Sequence, residues 1–433
     1  MSSKIKSIIA REILNSKGEP TLEAKVTLSN GLSAKAAVPC GTSTSSFEAN
    51  DLRDEEKNRF QGRGVLKAVA KLNEVIAPKL IGLKVDQAET IDKLMISLDG
   101  SETKKNLGAN AILAVSLATA RAAALDSGEE LYTYLARTFN FSNPKRLPLP
   151  LFNIFNGGAH ADTGLDFQEF MVIPSAQSTF YQSAKNSQGG RPLKRLIQAG
   201  AEVFHTLGRI LKESGYSTAV GLEGGYSPDI DSSIQALELI MAAIIEAGYE
   251  PGRDINLGLD IGSSVLFDKN QKKYVFRLDN ALFSNDNLIG LYNEWLKKFP
   301  IIYLEDGLDE EEWGAWTELT AELGDKLMIV GDDLFATNPN RLRQGLQAKA
   351  ANSIIIKPNQ IGTLSETMAC VKLAQRHNYK VIVSHRSGET NDDFIVDLAV
   401  AVGADYLKAG SLSRGERIAK YNRLMEIEDI MLS

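Results

Sequence analysis

The chain has 433 residues, 43% of them hydrophobic and 24% charged, and a formal net charge of −7. That length is too great for one compact core and predicts two domains. The acidic balance disfavours non-specific nucleic-acid binding, and no apolar run is long enough to span a bilayer. Two cysteines, Cys40 and Cys370, exclude a disulfide framework, and the opening Met1 to Ala10 lacks the apolar core of a signal peptide. These features predict a cytoplasmic enzyme with no nucleic-acid and no membrane partner. A cell-surface or secreted fraction would have to arise without a signal peptide.

Alternation predicts strands over Ile5 to Leu14, Thr21 to Leu28 and Leu32 to Pro39, the first two joined by the turn Asn15-Ser16-Lys17-Gly18-Glu19-Pro20. A loop rich in Ser and Thr follows, Pro39 to Glu48. It reads either as a connector or as a lid whose oxygens can ligate a hard cation or a phosphate. Helical spacing covers Val65 to Ile81, Gln87 to Ile96 and Asn110 to Ser127. The last is apolar nearly all round, which predicts a buried helix packed on the small sheet. Sheet first and helices second make an α+β domain over residues 1–140. The Pro-rich link Ser142 to Pro150 opens a second domain, residues 141–433.

In that second domain, Leu149 to Phe155 and Phe170 to Ile173 read as strands, followed by a long helical region interrupted by the polar insertion Asn186 to Pro192. In Gly221-Leu222-Glu223-Gly224-Gly225, glycines flank one carboxylate. Taken alone, a turn holding a surface glutamate is the simpler reading. Six short apolar runs follow, ending in turn at Asp260, Glu305, Asp332, Lys357, His385 and Lys408. Continuous runs rich in Ile and Val read as strands of a parallel sheet buried on both faces. The later five recur about every 25 residues, the length of a βα unit. Two strands plus six predict an irregular α/β fold, a (β/α)8 barrel of ββαα(βα)6 type, with its active site at the C-terminal strand ends.

Asp260, Glu305 and Asp332 at adjacent strand ends would crowd three negative charges, which is stable only around a cation. An all-oxygen set favours Mg2+ over Zn2+. Lys357, one strand further on, is a candidate base, since a nearby metal and Lys408 disfavour its ammonium form. It also reads as a structural ion-pair partner of the carboxylates. Proton removal beside a carboxylate makes a doubly charged enolate. One charge pair at 4 Å and an effective dielectric of 20 is worth roughly 4 kcal/mol, so a divalent ion outweighs any single hydrogen bond. Departure of a leaving group needs an acid on the other face, for which Glu223 and Glu169 are candidates.

The stretches Asn352 to Gly362 and Ser384-His385-Arg386-Ser387-Gly388-Glu389-Thr390 resemble signatures of the enolase family, as do Gly331-Asp332-Asp333-Leu334, Leu304-Glu305-Asp306-Gly307 and Gln168-Glu169-Phe170-Met171. The likeness runs nearly the whole chain in order. It implies a Mg2+-dependent lyase that interconverts 2-phosphoglycerate and phosphoenolpyruvate in glycolysis and gluconeogenesis. By that resemblance Asp260, Glu305 and Asp332 hold a first Mg2+, and Ser43 in the lid helps ligate a second. Lys357 removes the C2 proton, and Glu223, supported by Glu169, assists loss of the C3 hydroxyl. His385 and Lys408 contact the substrate, Arg386 with Ser387 binds the phosphate, and His160 and Gln168 line the site. A Lys or His base with Mg2+ is the general strategy of the enolase superfamily.

Several positions depart from the family. Asn15 to Pro20 replaces Asp-Ser-Arg-Gly-Asn-Pro, and Ser45 replaces the last glycine of the lid, which would stiffen it if that position needs φ > 0. Leu222 replaces an aspartate beside Glu223, which should lower the Glu223 pKa or loosen its position. The insertion around Gly189 is unusual. Glu426 stands where an arginine commonly pairs across a dimer with the residue matching Glu23, so two acids would repel in the expected homodimer or larger homo-oligomer. The alternative function is a catalytically weakened paralogue with a binding or moonlighting role.

Overall fold

The computed structural model describes residues 2–41, 45–142, 146–161 and 164–433. Near the N-terminus, β1 (Ile5–Leu14), β2 (Pro20–Leu28) and β3 (Ser33–Ala37) form an antiparallel sheet in that order. Leu22, Ala24, Val26 and Leu28 alternate inward and are fully buried, as a sheet with one solvated face requires. The helix Ala109–Ser127 lies across β2 and β3, with residues 109–120 buried on every side. Its alanines allow that close approach, and Gly128 in the left-handed conformation ends it. Helices at Leu66–Leu80, which contains one π-helical stretch, and Ala88–Asp99 match the expected segments. A further helix, Leu131–Thr138, follows after only three residues and was not separable from its neighbour by periodicity.

The barrel consists of β4 (Leu149–Asn156), β5 (Glu169–Pro174), β6 (Ile255–Asp260) and five later strands. Between β6 and those five, β7 (Phe267–Asp268), β8 (Lys273–Phe276) and β9 (Ala281–Phe283) form a small antiparallel sheet that the hydrophobic pattern did not indicate. These strands are too short to carry a readable period. The five are β10 (Ile301–Glu305), β11 (Met328–Gly331), β12 (Ser353–Ile356), β13 (Lys380–Ser384) and β14 (Tyr406–Lys408). Strand β14 pairs with β4 and closes the barrel. Leu151, Met171, Ile173, Tyr303, Val330, Ile355 and Ile382 fill its interior, so it is a packed core rather than a pore.

One strand runs the other way. Strand β5 is antiparallel to both β4 and β6, which places its first residue, Glu169, opposite Asn156 and Asp260. The start of β5 therefore lies at the same end of the barrel as the C-termini of the other seven. The polar insertion at 187–191 separates the helices Thr179–Asn186 and Pro192–Glu213 on the outside. The N-terminal sheet and helices are fixed to the barrel by charge at helix ends. Asp92 accepts hydrogen bonds from the Ser365 amide at 2.9 Å and its hydroxyl at 2.6 Å, in the first turn of the helix Leu364–Arg376. That is the favourable end of the helix dipole for an anion.

Candidate active site

Strand ends and two loops converge on one narrow cleft lined by His160, Gln168, Glu169, Glu223, Asp260, Asp332, Lys357, His385, Arg386, Ser387 and Lys408. All of these were singled out from the sequence. Glu305 lies just beneath, fully buried. Ser43 is outside the described residues.

The register explains the lower half. Asp260 and Glu305 are direct neighbours on β6 and β10, and Glu169 faces Asp260 from β5. Three carboxylates thus share one patch of barrel rim, and Lys408 at the end of β14 reaches into it. Its Nζ lies 2.7 Å from Glu305 Oε2, 2.8 Å from Asp260 Oδ2 and 3.2 Å from Glu169 Oε1. Burial opposes its charge, but Asp260, Glu169 and Glu305 outweigh burial and hold its pKa well above the ordinary lysine value. Glu305 remains short of positive charge. Burial, together with Asp260, pushes its carboxyl up to about 8. Tyr303 donates its hydroxyl to Glu305 Oε2, and the other oxygen, Oε1, has no hydrogen-bond partner among the described residues.

Asp332 follows β11 and is ion-paired with Lys357, which follows β12. The expected cage of Asp260, Glu305 and Asp332 is therefore divided between two lysines. Among the described residues, the groups whose ligand atoms do lie within 4.8 Å of one another are His160, Glu169 and Glu223, and Asp306, Asp332 and Asp333. Lys357 also differs from expectation. Burial lowers its pKa, but Asp332 overrides burial, and the net shift is upward. With Asp332 as its ion-pair partner, its ammonium is the favoured form, as in the ion-pair reading of the sequence. The donor set still fits a hard divalent cation. Every carboxylate here offers oxygen, and the unpartnered Glu305 Oε1 is a buried acceptor that a cation would satisfy.

Loops build the upper half. The turn around Glu223 closes through Gly221 N to Gly225 O at 2.8 Å, with Gly224 at φ +90° where a Cβ would meet Ser413 at 2.7 Å. This geometry drives Glu223 inward to 2% exposure, so it is not the surface residue that the motif alone suggested. Asn153 donates to its Oε2 at 3.1 Å, while His385 Nε2 lies at 3.5 Å and His160 Nδ1 at 3.6 Å. Leu222 has not loosened it. Burial raises the Glu223 pKa, but His160, His385 and Arg417 outweigh burial and hold its carboxyl well below the usual range. Glu169 goes the other way, pushed well above that range by burial and then by the charge of Glu223. The pKa values of two neighbouring carboxyls are thus pushed in opposite directions, the pattern of an acid–base pair. Gln168 reaches the cleft only because residue 262 is glycine: a Cβ there would lie 1.6 Å from Gln168 Nε2.

Arg386 is buried and receives the Glu48 carboxylate at 2.9 and 3.1 Å, with Asn359 Oδ1 at 3.1 Å. Ser45, which replaces the last glycine of the lid, is buried. Its hydroxyl donates to Glu310 Oε2 at 2.5 Å and to the Asp333 carbonyl at 3.1 Å, and Ser46 donates to Glu310 Oε1 at 2.8 Å.

Some functional neighbours were not identified from the sequence. Asp306 sits at φ +43° and accepts from the amides of Asp332 (3.0 Å) and Asp333 (2.8 Å), bracing one strand end against the next. Its place beside Glu305 in a quoted motif was the available signal. Arg417 lies within the helix Gly415–Leu432, where it reads as a solvated charge, yet it is fully buried. Its Nη1 meets His385 Nδ1 at 2.5 Å and donates to the Arg386 carbonyl at 2.6 Å. Nothing in its local sequence marks that role.

Residues 144–433 match the family described as "Enolase, C-terminal TIM barrel domain", and residues 5–135 match "Enolase, N-terminal domain". The chain is 48% identical over 427 residues to the enolase of Bdellovibrio bacteriovorus, covering 99% of this chain and 96% of that protein. Two matches that together span nearly every residue, on a closed barrel with these side chains at its rim, mean that the chain belongs to the enolase family.

Proposed function

We propose that the chain is a phosphopyruvate hydratase that uses Mg2+ to interconvert 2-phosphoglycerate and phosphoenolpyruvate. The observation that carries the reading is the placement of Lys357, beside Asp332, in the same cleft as the split carboxyl pair Glu169 and Glu223. Lys357, once its ammonium is discharged, takes the proton from C2. Glu223, kept close to His160 and His385, assists departure of the C3 hydroxyl as water by relaying a proton from its neighbour Glu169, whose pKa is raised. Arg386 and Ser387 hold the phosphate, Lys408 and His385 the carboxylate end, and His160 and Gln168 enclose the substrate against water. Asp260, Glu305 and Asp332 would hold a first Mg2+ and Ser43 would contribute to a second; when bound, these ions supply the positive charge that a doubly negative enolate needs.

The domain division near residue 140 and a cytoplasmic location go with this reading. So does a homo-oligomer. Glu426 pairs with Arg423 at 2.9 Å, and Glu23 with Arg11 at 2.9 Å and Lys35 at 3.3 Å. Each acid has a basic partner within its own chain, which supports assembly by reducing the repulsion expected between them. The weakened-paralogue alternative rests on the lid, Leu222 and interface changes, and the contacts of Glu223 with Asn153, His160 and His385 weigh against the second of these. The deciding experiment supplies 2-phosphoglycerate and Mg2+ and follows phosphoenolpyruvate by its ultraviolet absorbance. Absence of turnover by folded, Mg2+-saturated protein would reject the proposal.

A further inference from the structure

Gln360 lies on the one-turn helix Pro358–Ile361 that immediately follows Lys357, and only 1% of it is exposed. A buried primary amide needs all its partners, and here each partner is part of the site. Nε2 donates to Asp332 Oδ1 at 2.9 Å, and Glu48 Oε1 lies 3.5 Å away. Oε1 accepts from the Thr337 hydroxyl at 2.6 Å, and that hydroxyl oxygen accepts from the Lys357 amide at 2.9 Å. The backbone carbonyl of Gln360 accepts from Ala49 N at 2.8 Å, in the segment that follows the lid.

Asp332 thus has its two oxygens assigned: Oδ2 to the Lys357 ammonium and Oδ1 to the Gln360 amide. A neutral donor fixes the rotation of the carboxylate without cancelling its charge. A lysine or arginine at 360 would hold it as well but would neutralise the anion that a cation needs. A glutamate at 360 would add a third acid beside Glu48 and Asp332. Partners of this kind around a ligating carboxylate set its orientation, and their loss typically weakens metal binding about 10- to 100-fold.

We infer that Gln360 is a positioning residue that orients Asp332 as a cation ligand and ties that carboxylate to the segment behind the lid. The inference rests on the reading above in one respect, that Asp332 receives Mg2+. The test is calorimetric titration of the substrate-free full chain with Mg2+, with folding checked by circular dichroism. Gln360→Met, which keeps the volume and removes the donor, is expected to raise the Mg2+ dissociation constant about 10- to 100-fold. Activity lost at low Mg2+ should return as Mg2+ is raised. Thr337→Val breaks the other bond of the amide but leaves Nε2 on Asp332, and should change Mg2+ affinity far less. If Gln360→Met fails to fold, Gln360→Asn replaces it, one methylene short of Asp332 and expected to weaken Mg2+ similarly.

Wild-type Mg2+ affinity in a folded Gln360 variant, or an equal loss in Thr337→Val, would overturn the inference while leaving the proposed function intact. Failure of the wild-type chain to take up Mg2+ would overturn both.

Discussion

The strand-end half of the site and its loop half manage buried negative charge by different means. At the strand ends, Asp260, Glu305 and Asp332 are matched against Lys408 and Lys357, charge against charge at fixed register. Facing them, Glu223 from a loop and Glu169 from the start of β5 have no lysine to spare beyond the shared Lys408. They are managed by hydrogen bonds, neighbouring imidazoles and opposite shifts of their two pKa values. The barrel rim is therefore built to exchange its ammonium partners for a metal, because a cation can replace a cation. The loop half is built to exchange protons. Metal chemistry and acid chemistry sit side by side, with Lys408 common to both.

The largest expected effect separates the halves outright. Lys357→Ala should abolish exchange of the C2 proton, a loss of about 10^2- to 10^4-fold for a general base, while Mg2+ still binds at the carboxylates. Exchange that persists in the variant would remove Lys357 from the role of base. Glu223→Gln should show the complement: C2 exchange continues, but dehydration falls by about 10^2-fold or more. Parallel loss of both reactions would mean that the loop carboxyl acts before the proton leaves, and the division of labour fails.

Metal uptake should carry a proton signature that belongs to the strand-end half alone. With its pKa raised to about 8, Glu305 is protonated at pH 7 in the metal-free chain, and ligation requires the carboxylate. Mg2+ binding at pH 7 should release a proton, and affinity should rise with pH until about 8. The sign for stability is opposite: a raised carboxyl pKa favours the metal-free fold at low pH, and that contribution is lost as pH rises from 4.5 towards about 8. Calorimetry in buffers of different ionisation enthalpy measures the proton count, and a count of zero contradicts the assignment.

Smaller effects probe the loops. Ser45→Gly removes the one hydroxyl proton shared between Glu310 and the Asp333 carbonyl, worth roughly 1.5 kcal/mol. Hydrogen exchange in the segment around Glu48 should accelerate about tenfold. Unchanged protection would show that the clasp contributes nothing to holding the loop. The smallest shift is expected from Leu222→Asp. A like charge beside Glu223 should raise its pKa and move the acid limb of the activity profile upward by less than about one pH unit.

Much of this architecture was legible in the chain itself. Buried parallel strands need continuous apolar runs, so β6 and β10 to β14 announced themselves, and the first polar residue after each run had to sit at the rim. The helix Ala109–Ser127 was equally plain because nothing polar interrupts it. Arg417 and Asp306 were not legible as site residues, since a helix charge and the second acid of a pair look the same whether solvated or buried. Pairing between lysine and carboxylate was legible as a possibility at Lys357, but its outcome depends on distances of a few ångströms. Spacing along a chain does not carry that information.

By itself, the sequence determined the eight-stranded barrel, the order of chemistry at its rim and the family signatures, because period and run length follow from local sterics and burial. Only the tertiary structure decided which carboxyl pKa is pushed up and which down, which lysine closes on which acid, and how an inverted strand brings Glu169 to the working end. Those outcomes come from through-space electrostatics in a buried cleft, where Lys408 meets Glu305 across 103 positions of chain and no local pattern records the encounter.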